Sequence, residues 1–334
     1  MYYYLSLILF YCYGFWIFKY RFFIAQKLNL YDLPDNIKKT HKIQGYLLGG
    51  IILLSSIFTF LSYENELFEI LIFIFFFILF FFIGLLDDMK KISIIYRALQ
   101  IFFVILIFLY LLSLINSPFY PHSFELFHFS INNILLNLII YSFLFFLTYN
   151  VLNFSDGINY IIILFVSCFF VYVCYFYYEN FYIIFILILI IPLLFYFNKN
   201  MIFLGSSGIL VLTYNIFFHS TYAYNIGYLK IEELLIAFSI IGTDLVRTIL
   251  ERLFKKQEPW IGDRTHLHHK IKHIVKSDLI IAIIICFFSF TPLVLFQLLN
   301  ISIYHSLLIG LLLYFLILYI FSSNIFLKGK KYKF

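Results

Sequence analysis

The sequence predicts an all-α polytopic membrane bundle of about eleven transmembrane helices, each needing roughly 20 apolar residues to cross a bilayer. Three observations predict it. Apolar residues make up 64% of the 334 residues and charged residues 12%, against about 45–50% and about 25% in a soluble domain. The apolar residues come in long continuous runs without period-2 alternation. That argues for helices, which satisfy their own backbone groups in lipid, and against an outer-membrane barrel. Finally, of the 23 Lys and Arg residues, all but Lys230 fall in alternate connections between the runs, when Arg247, at the membrane end of its span, is counted with the loop that follows.

The spans are predicted near 3–24, 46–62, 67–86, 98–115, 133–152, 160–178, 181–197, 202–219, 233–250, 279–299 and 304–326. The first opens on Tyr2, Tyr3 and Tyr4 rather than a basic region and shows no small-residue cleavage site, so it reads as a retained helix. The basic connections are 19–45, 87–97, 150–159, 198–201 and 251–278, with the tail from Lys328. Cytoplasmic loops are the basic ones, which places the N-terminus outside and the C-terminus inside. The other side carries Lys230 with Glu64, Glu66, Glu125 and Glu179.

The chain, 1–334, reads as one integral membrane domain. Its longest polar stretch is the basic, His-rich loop 251–278. Cys12, Cys168, Cys174 and Cys286 lie inside apolar segments and read as small buried hydrophobes. The net charge of +6 sets orientation in the membrane and gives no ground for a nucleic-acid partner. His122, His128, His219 and His305 read as structural.

An ionisable residue at the edge of a membrane helix is costly without a partner or a task. Four motifs stand out on that ground. Asp87 and Asp88, in GLLDDMKKIS, are adjacent carboxylates that repel unless a cation lies beside them. Mg²⁺ takes one or two carboxylates and completes its shell with water and phosphate oxygens. A solvated helix end neutralised by Lys90 and Lys91 is the plainer alternative.

In NVLNFSDG, Asn150 and Asn153 share a helix face, and Asp156 follows one turn later if the helix continues. Such a set suits a polar ligand, or simple helix capping. The third motif comprises Asp244, Arg247, Arg252 and the run EPWIGDRTHLHHKI, with Asp263, Arg264, His266, His268 and His269. A helix would align His266, His269 and His273. A phosphate-binding surface, a zinc site and an ordinary positive-inside loop are the readings. Last, His41 and Lys42 precede Gly49 and Gly50, a pair that lets helices approach closely.

Together, in order and spacing, HKIQGYLLGG, DDMKKIS with Arg97, NVLNFSDG, and Asp244, Arg252 and DRTHLHH resemble the polyprenyl-phosphate sugar-1-phosphate transferases (glycosyltransferase family 4), over about residues 32–269. The DRTHLHH segment resembles the undecaprenyl-phosphate GlcNAc-1-phosphate transferase branch, which starts O-antigen, lipopolysaccharide or cell-wall glycans. The related phospho-MurNAc-pentapeptide translocase has three adjacent histidines instead. The resemblance implies an enzyme of the bacterial inner membrane with its active site on the cytoplasmic face. It would transfer GlcNAc-1-phosphate from UDP-GlcNAc, or another UDP-N-acetylhexosamine, to undecaprenyl phosphate and release UMP. It implies Mg²⁺ as cofactor, with Mn²⁺ as the alternative ion, and is compatible with a homodimer.

By resemblance, Asp87 and Asp88 are the catalytic pair, joined by Asp156 at the metal. Lys42, Arg97, Asn150, Asn153, Asp156, Arg252, Asp263, Arg264, His266, His268 and His269 bind substrate. At FLGSSGIL the chain has Ser206 where the family has an Asp that holds Mg²⁺. A catalytically impaired relative that binds without turnover is therefore the alternative reading, beside the pentapeptide translocase.

Overall fold

Runs of Phe, Ile and Leu form the longest helices, one of which, Asp278–Leu299, continues through Pro292. The computed structural model describes residues 12–32, 45–54, 56–57, 67–90, 92–127, 129–158, 160–177, 202–259 and 265–329. Its helices are α1 (Arg21–Leu28), α2 (Gly49–Leu53), α3 (Leu67–Lys90), α4 (Ile94–Leu114), α5 (Ile134–Ser155), α6 (Ile161–Tyr177), α7 (Gly205–Asn225), α8 (Ile231–Ala237), α9 (Ser239–Phe254), α10 (Leu267–Lys272), α11 (Asp278–Leu299) and α12 (Ile303–Gly329).

Among the described residues, five helical segments are long and apolar enough to cross a membrane: Phe68–Met89, Ile94–Leu114, Ile134–Ser155, Asp278–Leu299 and Ile303–Ser322. Their outer faces expose large apolar side chains, among them Phe75, Phe82, Phe103 and Leu312. Lipid is the solvent that tolerates such faces. This is a mostly helical membrane protein.

Other predicted spans are covered, in whole or in part, by the described residues. The segment 160–178 becomes the 17-residue α6. The segment 202–219 becomes α7, which carries Thr213, Asn215, His219, Ser220 and Thr221, all buried. A helix packed against protein on its faces need not be apolar. The segment 233–250 is divided at Phe238 into α8 and α9, and α9 bears Asp244, Arg247, Glu251 and Arg252. Of 46–62, the described residues show α2 preceded by a short strand. The segment 181–197 lies outside the described residues.

The mostly helical architecture agrees with the all-α expectation, with two small exceptions among the described residues. Two short antiparallel ladders occur, β1 (Tyr31–Asp32) with β2 (Gly45–Tyr46), and β3 (Phe124–Leu126) with β4 (Phe129–Ile131). Both lie in connections, where chain reversal leaves backbone groups that need partners.

The chain forms two compact units. The first holds residues 1–34, 41–153 and 170–230; the second holds 35–40, 154–169 and 231–334. In the first unit α7 packs against α3 and α2. Gly84 on α3 and Gly50 on α2 make this possible, since a Cβ at either would collide with Ser207. The chain after β2 is stitched to the start of α7: Gly49 N–H donates to Phe203 O at 2.9 Å, and Phe203 N–H to Tyr46 O at 2.9 Å. Away from this end, Phe73, Phe119 and Phe218 form an aromatic core, with centroid separations of 4.2 to 4.8 Å. Tyr214 is wholly buried there and donates to Phe73 O at 3.1 Å.

In the second unit α12 packs on α9 and α11, and α8 and α10 pack on both α11 and α12. Phe165 of α6 meets Phe238 and Phe290. Gly310 of α12 leaves room for Ser239 at the start of α9.

Candidate functional site

Two polar clusters emerge, one in each unit. The first is built on the C-terminal end of α3. Asp87 accepts from the Arg97 guanidinium, through Oδ2, in a buried ion pair. The same oxygen accepts from Ser206 Oγ at 2.6 Å. The polar contacts made to Asp87 fall on Oδ2, so Oδ1 is left open among the described residues.

Asp88 does something different. Its Oδ1 accepts from the Ser206 N–H at 2.7 Å. Its Oδ2 accepts from Ser207 N–H at 3.1 Å and Ser207 Oγ at 2.7 Å. These are the first free N–H groups of α7, where backbone donors and the helix dipole both favour a negative charge. Asp88 thus caps a helix 118 residues away in the chain. Gly205 permits it: its φ is +67°, and a Cβ there would lie 2.6 Å from Asp88 Oδ2.

Tyr149 of α5 completes this cluster. Its ring lies under Arg97, with 5.7 Å from guanidinium carbon to centroid, and it is 1% exposed. Its hydroxyl lies beside Ser206 without closing a hydrogen bond. On the next turn Asn150 donates to its own helix at Phe146 O, 2.7 Å away, and Asn153 is half-buried. The helix ends at Ser155, so Asp156 sits in a turn rather than on the face of Asn150 and Asn153.

The second cluster centres on Asp244 of α9. Asp244 Oδ2 lies 2.9 Å from His266 Nδ1. Oδ1 accepts from Arg247 Nη2 at 2.9 Å and Tyr314 OH at 3.0 Å. Leu267 N–H donates to both oxygens at 3.1 Å. Arg247 also donates to Thr265 O at 2.8 Å and Tyr314 OH at 2.6 Å. Arg252 donates to Pro259 O and lies 3.5 Å from His266 Nε2.

Helix α10 is short, with His266 at its N-cap and His273 at its C-cap. His266, His268 and His269 are buried, whereas His273 is exposed. His268 stacks parallel on His266 at 5.5 Å and 3°, and meets His269 at 4.2 Å. Burial, with His269 and His266 alongside, holds the His268 imidazole well below its usual pKa of 6.5. Its Nε2 is buried without a hydrogen-bond partner. Gly157 packs against it so closely that a Cβ would collide with that nitrogen. Ser155, Asp244, Leu267 and His268, with four isoleucines, line a small cavity at this point.

The structure thus joins Asp87, Asp88, Arg97 and Ser206 in one cluster, and Asp244, Arg252, His266, His268, His269 and the Asp156–Gly157 turn in the other unit. Lys42, Asp263 and Arg264 lie outside the described residues. Tyr149, Ser207 and Tyr314 escaped the sequence reading. Only the pattern FLGSSG pointed near one of them.

Among the described residues, no group of three or more His, Cys, Asp or Glu side chains is placed to hold a metal ion. Zinc asks for such a cage. Mg²⁺ does not, since one carboxylate oxygen can serve beside water and phosphate. The open Oδ1 of Asp87 suits that lesser demand.

Apolar helices with buried acids and arginines gathered into two clusters define a helical membrane protein. Residues 70–224 match the model of glycosyl transferase family 4, which supports the resemblance to that family drawn from the motifs. The match runs from α3 through α7 and so contains the whole first cluster. No curated protein matches the chain. At this level the family agrees with the expectation of a polyprenyl-phosphate sugar-1-phosphate transferase.

Proposed function

We propose that this protein transfers a sugar 1-phosphate from a UDP-N-acetylhexosamine, with UDP-GlcNAc the leading donor, to undecaprenyl phosphate. The observation that carries this reading is the Asp87–Asp88 pair held between Arg97 and the first turn of α7, inside the family-matched stretch. The charge pattern of the sequence supports a bacterial plasma membrane location, about eleven spans, an outside N-terminus and a cytoplasmic site.

A phosphate oxygen of the lipid attacks the β-phosphorus of the UDP-sugar. The bond from that phosphorus to the bridging oxygen breaks, and UMP leaves with the electron pair. Little covalent help is needed; position and charge neutralisation dominate. The lipid phosphate, with a second pKa near about 6, is largely ionised at neutral pH and needs no base. Arg97 offers a fixed cation to the phosphates and keeps Asp87 oriented. Asp87 would hold Mg²⁺ through its open oxygen, with Asp156 the further acid assigned to metal or nucleotide. Bound Mg²⁺ supplies charge neutralisation at the diphosphate. Asp88 fixes the start of α7 and with it the Ser206 hydroxyl. Asn150 and Asn153 are assigned to the nucleotide; Lys42, Arg252, Asp263, Arg264, His268 and His269 to the sugar and diphosphate.

The test is UMP release with lipid-linked product, from UDP-GlcNAc and undecaprenyl phosphate, with Mg²⁺ and with chelator. Product that forms only with Mg²⁺ supports the reading. Ser206 favours one other reading, a relative that binds without turnover, because its hydroxyl occupies the Asp87 oxygen that faces Arg97. A native chain inert toward every UDP-N-acetylhexosamine, and made active by Ser206→Asp, would establish that alternative.

A further inference from the structure

His266 lies between two groups that fix the roles of its ring nitrogens. Nδ1 is 2.9 Å from Asp244 Oδ2, and Nε2 is 3.5 Å from Arg252 Nη2. A guanidinium has only donors, and an ionised carboxylate only accepts. Nδ1 therefore carries the proton and donates to Asp244, and Nε2 turns its lone pair toward Arg252. His266 is 5% exposed and Arg252 3%, so water does not compete for either nitrogen. The carboxylate cannot turn away, since Arg247, Tyr314 and the Leu267 N–H also hold it. The ring cannot turn either, being stacked on His268 and set against Phe154.

We propose that His266 is a positioning residue and not a donor to substrate phosphate. Asp244 holds its Nδ1–H, and its Nε2 aims Arg252, which in turn grips the loop at Pro259 O. Tyr314, on α12 and outside every motif, belongs to the same device as a fourth hold on Asp244. The inference deepens the transferase reading and rests on it only for the task of Arg252, which is to meet the diphosphate.

Two amide substitutions separate the alternatives. Asn places its NH₂ where Nδ1 sits; Gln places its amide where Nε2 sits. His266→Asn keeps the bond to Asp244 but offers Arg252 no acceptor, so its thermal midpoint stays close to that of the native protein while its kcat/KM falls about tenfold, the worth of one charge-assisted hydrogen bond. His266→Gln loses that bond, and its kcat/KM falls about tenfold, the worth of one charge-assisted hydrogen bond. In an Arg252→Ala background His266→Asn costs little more, because both remove one interaction; a loss that adds in full to that of Arg252→Ala would overturn the proposal, since His266 would then act on substrate directly and not through Arg252. A third measurement needs no turnover. Imidazole ¹⁵N spectra of the detergent-solubilised native protein, with the His266 signal identified by its loss in His266→Asn, show a neutral ring protonated at Nδ1. A ring protonated at Nε2 refutes the assignment even if the native chain proves inert in the transferase assay, so the two failures are distinguishable.

Discussion

The acid cluster on α3 and the acid cluster on α9 use carboxylates in opposite ways. Asp244 is saturated: four groups donate to it, and two of them, Arg247 and Tyr314, bond each other as well. Asp88 is likewise spent, with both oxygens on the first turn of α7. Asp87 alone among the three keeps an oxygen without a described partner, next to a cation and a hydroxyl. Burying a carboxylate costs several kcal/mol unless it is paired and hydrogen-bonded. A saturated buried acid is thereby a structural part, and a half-satisfied one beside Arg97 is where a ligand completes the set. Under the proposed function, the contrast assigns the metal and phosphates to Asp87, and substitutions at Asp244 and Asp88 test whether these two serve the architecture instead.

The largest effect expected from this contrast is on stability at Asp244. Asp244→Ala leaves Arg247, His266 and the Leu267 N–H without their shared acceptor, in a site where Asp244 is 6% exposed. The loss is about 3–5 kcal/mol, typical of breaking one side of a buried ion pair. Thermal unfolding in detergent measures it. A shift worth less than about 1 kcal/mol would mean that water already screens the cluster.

Next comes Asp87→Asn. Turnover is expected to fall about 10²–10³-fold, the range seen when a single transition-state electrostatic contact is removed. Asp88→Asn should show the other pattern. The amide retains one acceptor for the α7 N–H groups and loses the other, so stability drops by about 1–3 kcal/mol while turnover falls less than in Asp87→Asn. Steady-state UMP release and melting curves on the two variants decide the matter. Equal losses of turnover at equal stability would dissolve the division of labour.

The sequence made Asp87, Asp88 and the DRTHLHH loop legible because charge is rare at the ends of apolar helices and has to be explained there. It also made the long spans legible, since lipid imposes a length and a composition on any helix it surrounds. Other features left no such trace. Helix α7 reads as an apolar run with scattered Ser, Thr and Asn; only its packing against α3 and α2 shows why those residues are tolerated. Tyr149 and Tyr314 are two of 29 tyrosines, and each is set apart by a partner far away in sequence, Arg97 for one and Asp244 for the other. The cap of Asp88 on α7 is equally long-range. Local spacing could suggest that Asp156 continued the Asn150–Asn153 face. It could not foresee that α5 stops at Ser155, where Gly157 must pass beneath His268.

The smallest effect concerns pH, and it turns on His268. Burial together with His269, His266 and Lys272 keeps its imidazole neutral far below the usual 6.5, against the opposing pull of Asp244. The unfolded chain, by contrast, takes up a proton at this residue as pH falls through 6.5. Its contribution to folding is therefore constant above about pH 7.5 and declines on acidification below about pH 6.5, with a limiting slope of about 1.4 kcal/mol per pH unit for one proton. His268→Asn has no such proton to lose. Melting curves between pH 7.5 and 5 should fall more steeply for the native chain than for the variant. Parallel curves would show that His268 accepts a proton without leaving its place, and the second cluster would then be softer than the saturated bonding around Asp244 implies.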